Sequence, residues 1–333
     1  MRCIRVGEGE GLAKLSVGEA DDPGPPGPGE VRVRVRACSL NFHDYAVCSG
    51  KMETAPGRIP LADGAGEVEA VGEGVRDFSV GDRVVSVFYP DWPDGAPVRA
   101  GFGSTPGDGV DGFAQEVAVR PAQAFTRAPE GWSHEEAACI PTAGVTAWRA
   151  LVVEGGLAPG QTVLTMGTGG VSIWAVQLAL AGGARVLGTS SSDEKREALE
   201  KMGVAMTANY RTDEAWGRTL AEASGGADIV VEVGGPGTLD QAIEAVALGG
   251  RIVMIGVLTG RSGEVGTAAL MHKQARLQGV TVGSRAMQRD LVAACEVSGL
   301  RPVIDRRFDL ADLADAFAHE EAGRHVGKIV VTC

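Results

Sequence analysis

Long apolar runs are missing from this 333-residue chain. Nowhere do ~18 apolar residues follow one another, so no membrane-spanning helix is predicted. The opening stretch MRCIRVGEGEGLAKL lacks the apolar core of a secretion signal, and the expected location is cytoplasmic. Positive charge is short as well: 31 Lys and Arg stand against 43 Asp and Glu, a net charge of −12. Phosphate backbones need a basic excess to neutralise them, so neither nucleic acid nor an acidic membrane is an expected partner. Cysteine is sparse. Cys3, Cys38, Cys48, Cys139, Cys295 and Cys333 include no CxxC pair, and none lies between Cys48 and Cys139. Reduced, mostly buried thiols are predicted.

Glycine is what the chain has in excess: 49 residues, scattered without a collagen period or a Gly/Ser linker. Such scatter suits many tight strand–helix turns and close backbone approach to a ligand. The length predicts two domains. In the first third, VRVRVRAC (31–38) alternates strictly, as a half-buried strand does, and GAGEVEAVGEGV (64–75) and RVVSVF read as further strands. Residues 91–111 are rich in Gly, Pro and Asp without periodicity, a surface loop of the kind that closes over ligands. From about residue 133 the texture changes. Ser133 with Glu136 three residues on has capping-box spacing. Thereafter apolar strands (TVLTM, RVLGTS, DIVVEV, 251–257 and 277–284) alternate with helices, one of them around 239–248. This texture predicts an α/β fold with a parallel sheet covered on both faces.

TVLTMGTGGVSIWAVQLAL is the most informative stretch. A strand runs into Gly167, Thr168, Gly169, Gly170, Val171 and Ser172, then a helix. Gly167 permits the sharp turn, and Gly169 lets the backbone approach a pyrophosphate. The helix start turns unpaired N–H groups and a positive dipole end toward that anion. Ser172 stands where a third glycine is usual. At the end of the next strand an NAD-preferring site places an acid on the ribose 2′-hydroxyl. Here the chain reads Ser190, Ser191, Ser192, with Lys195 and Arg196 close behind. Hydroxyls and cations hold a 2′-phosphate, so NADP(H) is favoured as cofactor, while Asp193 and Glu194 keep NAD(H) open.

ADGAGEVEAVGEGVRDFSVGDRVV (62–85), PTAGVTAWRAL, VLTMGTGGVS, VEVGGPGTLD and the closing GRHVGKIVV stand in the order found in the medium-chain dehydrogenase/reductase superfamily. The chain resembles that superfamily essentially end to end. The resemblance implies a β-rich, GroES-like catalytic domain from both chain ends, 1–124 and 284–333. A Rossmann domain, 125–283, would lie between them in sequence, with the active site in the cleft. It also implies a homodimer paired through the last Rossmann strand, here 277–284. Where zinc members hold their metal with Cys, His and Cys, this chain has Asn41, Ala62 and Thr142, none of them a zinc ligand. The clustered Cys of a structural-zinc lobe are also missing, so a zinc-free enzyme is expected. Asp63 and Asp44 stand where zinc members carry acidic neighbours of the metal, and they read as braces of the fold. SLNFHDYAVCSG and SVFYPDW look most like the quinone-oxidoreductase-like branch, although His43 stands where Arg is frequent. By the same resemblance Thr142, Tyr210, Gly234, Gly256, Val257 and Lys328 contact the nucleotide, with Arg211 beside Tyr210.

Without a metal as Lewis acid a plain ketone is hard to reduce, whereas an enone or quinone is already electrophilic. The expected activity is NADPH-dependent hydride transfer to a conjugated carbonyl of a small molecule. A zinc-independent alcohol dehydrogenase or ketone reductase is the alternative, followed by a non-redox enzyme or a nucleotide-binding protein on the same fold. Asn41, His43 and Asp44 are the catalytic candidates: Asn41 as donor to the acceptor oxygen, His43 as proton source. Tyr45 reads as packing. Phe88, Tyr89 and Trp92 read either as a wall of the substrate pocket or as packing.

Overall fold

The computed structural model describes residues 1–97 and 102–333. The loop expected at 91–111 therefore lies partly outside the described residues; its described parts are turns and bends, with an isolated bridge between Pro106 and Val110. The chain divides into two compact units, Met1–Val145 with Gly283–Cys333, and Thr146–Val282.

Along the chain, β1 (Arg2–Val6) and β2 (Leu15–Glu19) pair as a two-stranded sheet. β3 (Glu30–Ser39), α1 (Phe42–Ser49), β4 (Asp63–Val71), β5 (Arg83–Ser86), β6 (Val117–Pro121), β7 (Phe125–Arg127) and α2 (His134–Ala138) follow. α2 starts as its sequence predicts: Ser133 Oγ accepts the Glu136 N–H at 3.2 Å, and Glu136 accepts the Ser133 N–H at 2.7 Å. After α3 (Val145–Trp148) come β8 (Thr162–Met166), α4 (Gly170–Ala181), β9 (Arg185–Ser190), α5 (Asp193–Lys201) and β10 (Met206–Asn209). The second unit continues with α6 (Trp216–Ser224), β11 (Ala227–Glu232), α7 (Pro236–Ala245), β12 (Val246–Met254), α8 (Thr267–His272) and β13 (Arg276–Gly279). α9 (Arg285–Ser298), β14 (Ile304–Asp309), α10 (Leu313–Glu321) and β15 (Lys328–Thr332) belong to the first unit again.

The larger sheet of the first unit has the order β14-β15-β3-β4-β5-β7, with β6 also on β3. The first division falls at Val145, beyond the 124/125 read from the sequence: β7 pairs with β5, and α2 packs on β3 and β4. β3 alternates as expected: Val31, Val33 and Val35 are buried between partly exposed arginines. Its far end matters most for the site. Antiparallel register sets Ser39 opposite Asp63 of β4 and opposite Val330 of β15. The Leu40 N–H then donates to the Ile329 carbonyl at 3.0 Å. One step further along the same ladder, Asn41 comes beside Lys328.

The second unit is a sheet of six parallel strands in the order β10-β9-β8-β11-β12-β13. This is the doubly wound order, and the strand sequence reverses between β8 and β11. Val163, Leu164, Val186, Leu187, Val230, Val231, Ile252 and Val253 are fully buried, as strands covered on both faces require. Two expected boundaries change. The helix expected at 239–248 begins at Pro236, a favoured first helical residue, and stops at Ala245, where β12 starts. The strand expected at 277–284 runs Arg276–Gly279 instead, and Val282, inside the expected span, takes φ 44°, outside any strand conformation. No helix among the described residues is long and apolar enough to cross a membrane.

α6 and α7 approach closely at Gly217, where a Cβ would lie 2.1 Å from the Gln241 carbonyl oxygen. In an open helix Gly→Ala gains up to about 1 kcal/mol. Here Gly217→Ala is expected to cost about 1–3 kcal/mol instead, through overpacking. The urea midpoints of the two proteins check the sign.

Candidate active site

The ends of β3, β4 and β15 gather a buried polar cluster in the first unit. Asp63, the first residue of β4, is fully buried. One carboxylate oxygen accepts from Ser39 Oγ at 2.8 Å and Asn41 Nδ2 at 2.9 Å, the other from Thr142 Oγ1 at 2.6 Å. Burial pushes its pKa up, against the pull of Lys328, whose Nζ lies 3.8 Å away. Lys328 itself is 3% exposed and donates to the Leu40 carbonyl and, at 2.6 Å, to Asn41 Oδ1. That contact fixes the Asn41 amide: its oxygen faces the ammonium, and its NH2 group faces Asp63 and, at 3.0 Å, Asp44. Asp44, in the first turn of α1, also accepts the Asn41 N–H at 3.0 Å and the Ala62 N–H at 2.9 Å. Leu61, just before, holds φ 74°, an uncommon value for a non-glycine residue and one that the surrounding packing must enforce.

His43 is the solvent-facing partner of this cluster. Its Nδ1 lies 3.5 Å from Asp44 Oδ1, and its Nε2 lies 3.7 Å from Asp108 Oδ2. The ring meets Phe88 edge-on at 5.2 Å between centroids. Burial draws the imidazole pKa down, but Asp44 and Asp108 outweigh it and the net shift is upward. With 17% of its side chain exposed, His43 keeps access to solvent while the two carboxylates favour its protonated form. Phe88, Tyr89 and Trp92 are buried against one another and so back His43 rather than line an open pocket. Tyr45 packs as expected, its ring on Phe317 and its hydroxyl donating to Glu321.

Three residues have contacts other than those expected. Asn41 gives its amide hydrogens to Asp44 and Asp63, which leaves none for a substrate oxygen. Lys328, expected at the nucleotide, is enclosed within the first unit, where it donates to Leu40 and Asn41. Thr142, also expected at the nucleotide, donates to Asp63. Asp63 and Asp44, read as braces, are the centre of the cluster. Asp108 carries no signal in the sequence, because its loop has neither motif nor periodicity.

In the second unit, Gly167 turns the chain after β8 with φ 78°, and its N–H donates to the Thr189 carbonyl at 2.9 Å. Gly169 is the N-cap of α4, and no side-chain hydrogen bond caps that end. The first N–H groups of Gly170, Val171 and their neighbours, with the positive dipole end, therefore suit an anion. Thr168 is buried beside this turn. Ser172 Oγ donates back to the Met166 carbonyl at 2.6 Å, which accommodates a serine where glycine is usual.

The serines after β9 are used locally. Ser190 is buried and donates to the Ser192 carbonyl at 3.0 Å; Ser192 Oγ caps α5 by accepting the Lys195 N–H at 3.4 Å; Ser191 is half-buried. Arg196 is held by Asp193 and Thr207. Tyr210 and Arg211, just beyond β10, are exposed. At the end of β11, Glu232 is fully buried and accepts the Gly234 and Gly235 N–H groups, each at 2.9 Å. A carboxylate closing an apolar strand before two glycines is the signal that marks this loop. Gly256 sits so near Val233 that a Cβ would come within 2.1 Å of its carbonyl oxygen, while Val257 is exposed.

A dinucleotide fits the second unit: a glycine turn, an uncapped helix start and glycines at the carboxyl ends of the strands. Zinc does not fit the first. Asn41, Ala62 and Thr142 offer it neither thiolate nor imidazole, and the Asn41 oxygen is already on an ammonium. Among the described residues no three His, Cys, Asp or Glu side chains are grouped to hold a metal ion.

Two family models match, an alcohol dehydrogenase GroES-like domain over residues 27–130 and a zinc-binding dehydrogenase domain over 170–296. A zinc-type alcohol dehydrogenase-like protein of Schizosaccharomyces pombe is 38% identical over 99% of both chains. An acryloyl-coenzyme A reductase of Sulfurisphaera tokodaii is 27% identical over 80% of both. The solved structure of an NAD-dependent alcohol dehydrogenase, 33% identical, superposes with a TM-score of 0.90 over all of both chains. Taken with the doubly wound sheet and its glycine turn, these matches show that the chain belongs to the medium-chain dehydrogenase/reductase superfamily of NAD(P)-dependent oxidoreductases.

Proposed function

We propose that the chain is a zinc-independent, NADPH-dependent reductase of a conjugated carbonyl such as an enone, an enoyl thioester or a quinone. The observation that carries this reading is His43, set between the carboxylates of Asp44 and Asp108, which favour its protonated form, in a cluster with no metal-ligand set among the described residues. Such a cluster supplies a proton but no Lewis acid, which suits an acceptor already activated by conjugation. The acryloyl-coenzyme A reductase relative bears a name of this reaction class. When bound, the nicotinamide supplies the hydride. Gly167, Gly169 and the start of α4 would hold its pyrophosphate, and His43 would deliver the proton. For an enone, hydride to the β-carbon and a proton to the α-carbon saturate the double bond and leave the carbonyl intact.

Arg211, exposed beside Tyr210, is the cation we assign to the 2′-phosphate, since the Ser190 and Ser192 hydroxyls are engaged in the turn into α5. Arg211→Ala is expected to weaken NADPH binding about tenfold, while NADH binding stays within about twofold. Fluorescence titration with each nucleotide checks this. Because the His43 pKa is raised, its protonated form persists above the ordinary ~6.5. The kcat is thus expected to hold as pH rises past that value and to fall only through the raised pKa; a pH–rate profile reads the limb.

Initial rates of NADPH oxidation in EDTA, with an enoyl thioester, a quinone and a saturated ketone as acceptors, test the reading. Conjugated acceptors are expected to exceed the ketone by about 100-fold or more in kcat/KM. Comparable ketone turnover that EDTA abolishes would point to alcohol dehydrogenase chemistry and sink the proposal.

A further inference from the structure

Beside His43 the first unit joins two carboxylates and a lysine ammonium through a single amide, and one of those carboxylates faces the imidazole. Lys328 Nζ meets Asn41 Oδ1 at 2.6 Å, Asn41 Nδ2 meets Asp44 at 3.0 Å and Asp63 at 2.9 Å, and Asp44 lies 3.5 Å from His43. With His43 protonated, Lys328 and His43 offset Asp44 and Asp63. With His43 neutral, the quartet holds a net negative charge in buried surroundings, where charge imbalance is costly.

Other titratable groups face the quartet. Asp108 lies 3.7 Å from His43 on the loop before β6. Glu320 of α10, which burial pushes up to about 7, feels Lys328 and Asp44. Cys139, after α2, is pushed up to about 12, and burial also raises the thiols of Cys38 on β3 and Cys48 on α1. The thiols are therefore neutral near pH 7. Lys328 is the ammonium bound to the amide that joins the two carboxylates.

We propose that Lys328 is a positioning residue for proton transfer: through Asn41 it offsets the charge of Asp44 and Asp63, so that His43 releases its proton, and Asp63 sets the opposite bias. This rests on the reading of His43 as proton donor. Lys328 touches no substrate, being 3% exposed. Without it, the carboxylates hold the His43 proton more tightly and the acid weakens. Without the Asp63 charge, the proton is held less tightly.

His43 is read twice in the NADP-bound enzyme: by its imidazole C2 proton resonance against pH, and by the upper limb of the kcat–pH profile. In Lys328→Gln both are expected to move up by about one pH unit, with kcat at neutral pH about tenfold lower. Lys328→Arg keeps both within about 0.3 of a unit of the unaltered enzyme. Asp63→Asn, nearly isosteric, is expected to move both down. It provides an independent arm should Lys328→Gln fail to fold. Folded variants in which neither probe moves, whatever their kcat, overturn the proposal and leave Lys328 with a structural role. A resonance that moves while the kcat limb stays put keeps the coupling but overturns His43 as the proton donor.

Discussion

Replacing His43 with glutamine is expected to lower kcat for a conjugated acceptor about 10²–10⁴-fold, the usual loss when a positioned acid is removed. The Kd for NADPH should change by no more than about twofold, because the pyrophosphate turn at Gly167 and Gly169 belongs to the other unit. Stability should change by no more than about 1 kcal/mol, since a partly exposed ring is exchanged for an amide that still fits beside Phe88. This combination separates loss of a proton donor from loss of structure. Single-turnover mixing of the NADPH complex with an enoyl thioester measures it. An unchanged rate would remove His43 from the chemistry.

Asp63→Leu is expected to carry the largest stability effect, about 3–5 kcal/mol. The change leaves Lys328 buried without its counter-charge, and it strips the acceptor from Ser39, Asn41 and Thr142 together. Removing both charges, as Asp63→Leu with Lys328→Met, should recover most of that loss, because a buried ion pair exchanged for apolar groups is often close to neutral. Denaturant midpoints of the two single variants and the double variant form the cycle. If Asp63→Leu alone costs less than about 1 kcal/mol, the cluster is not the buried charge network described above.

The parts of the fold that follow from local pattern were legible in the sequence. The alternation of 31–38 became β3, Ser133 and Glu136 became a capping box, and the glycine turn after TVLTM sits between β8 and α4. What stayed hidden depends on register. Lys328 meets Asn41 only because β15 pairs with β3 so that Val330 faces Ser39, and no local pattern encodes that pairing. The direction of the Asn41 amide follows from the same contact, so its expected role as substrate donor gave way. Likewise Ser190 and Ser192 suggested a phosphate site by composition, yet their hydroxyls serve the turn into α5. The strand expected at 277–284 had the right residues, but the backbone turns at Val282.

The path of one labelled hydrogen tests the central claim most directly. NADPH carrying deuterium at the transferable C4 position is turned over with an α,β-unsaturated thioester in EDTA-containing buffer, and the product is read by NMR. The account predicts deuterium on the β-carbon, a solvent-derived proton on the α-carbon and an intact carbonyl. Deuterium on the former carbonyl carbon, or turnover that requires added zinc, would contradict it.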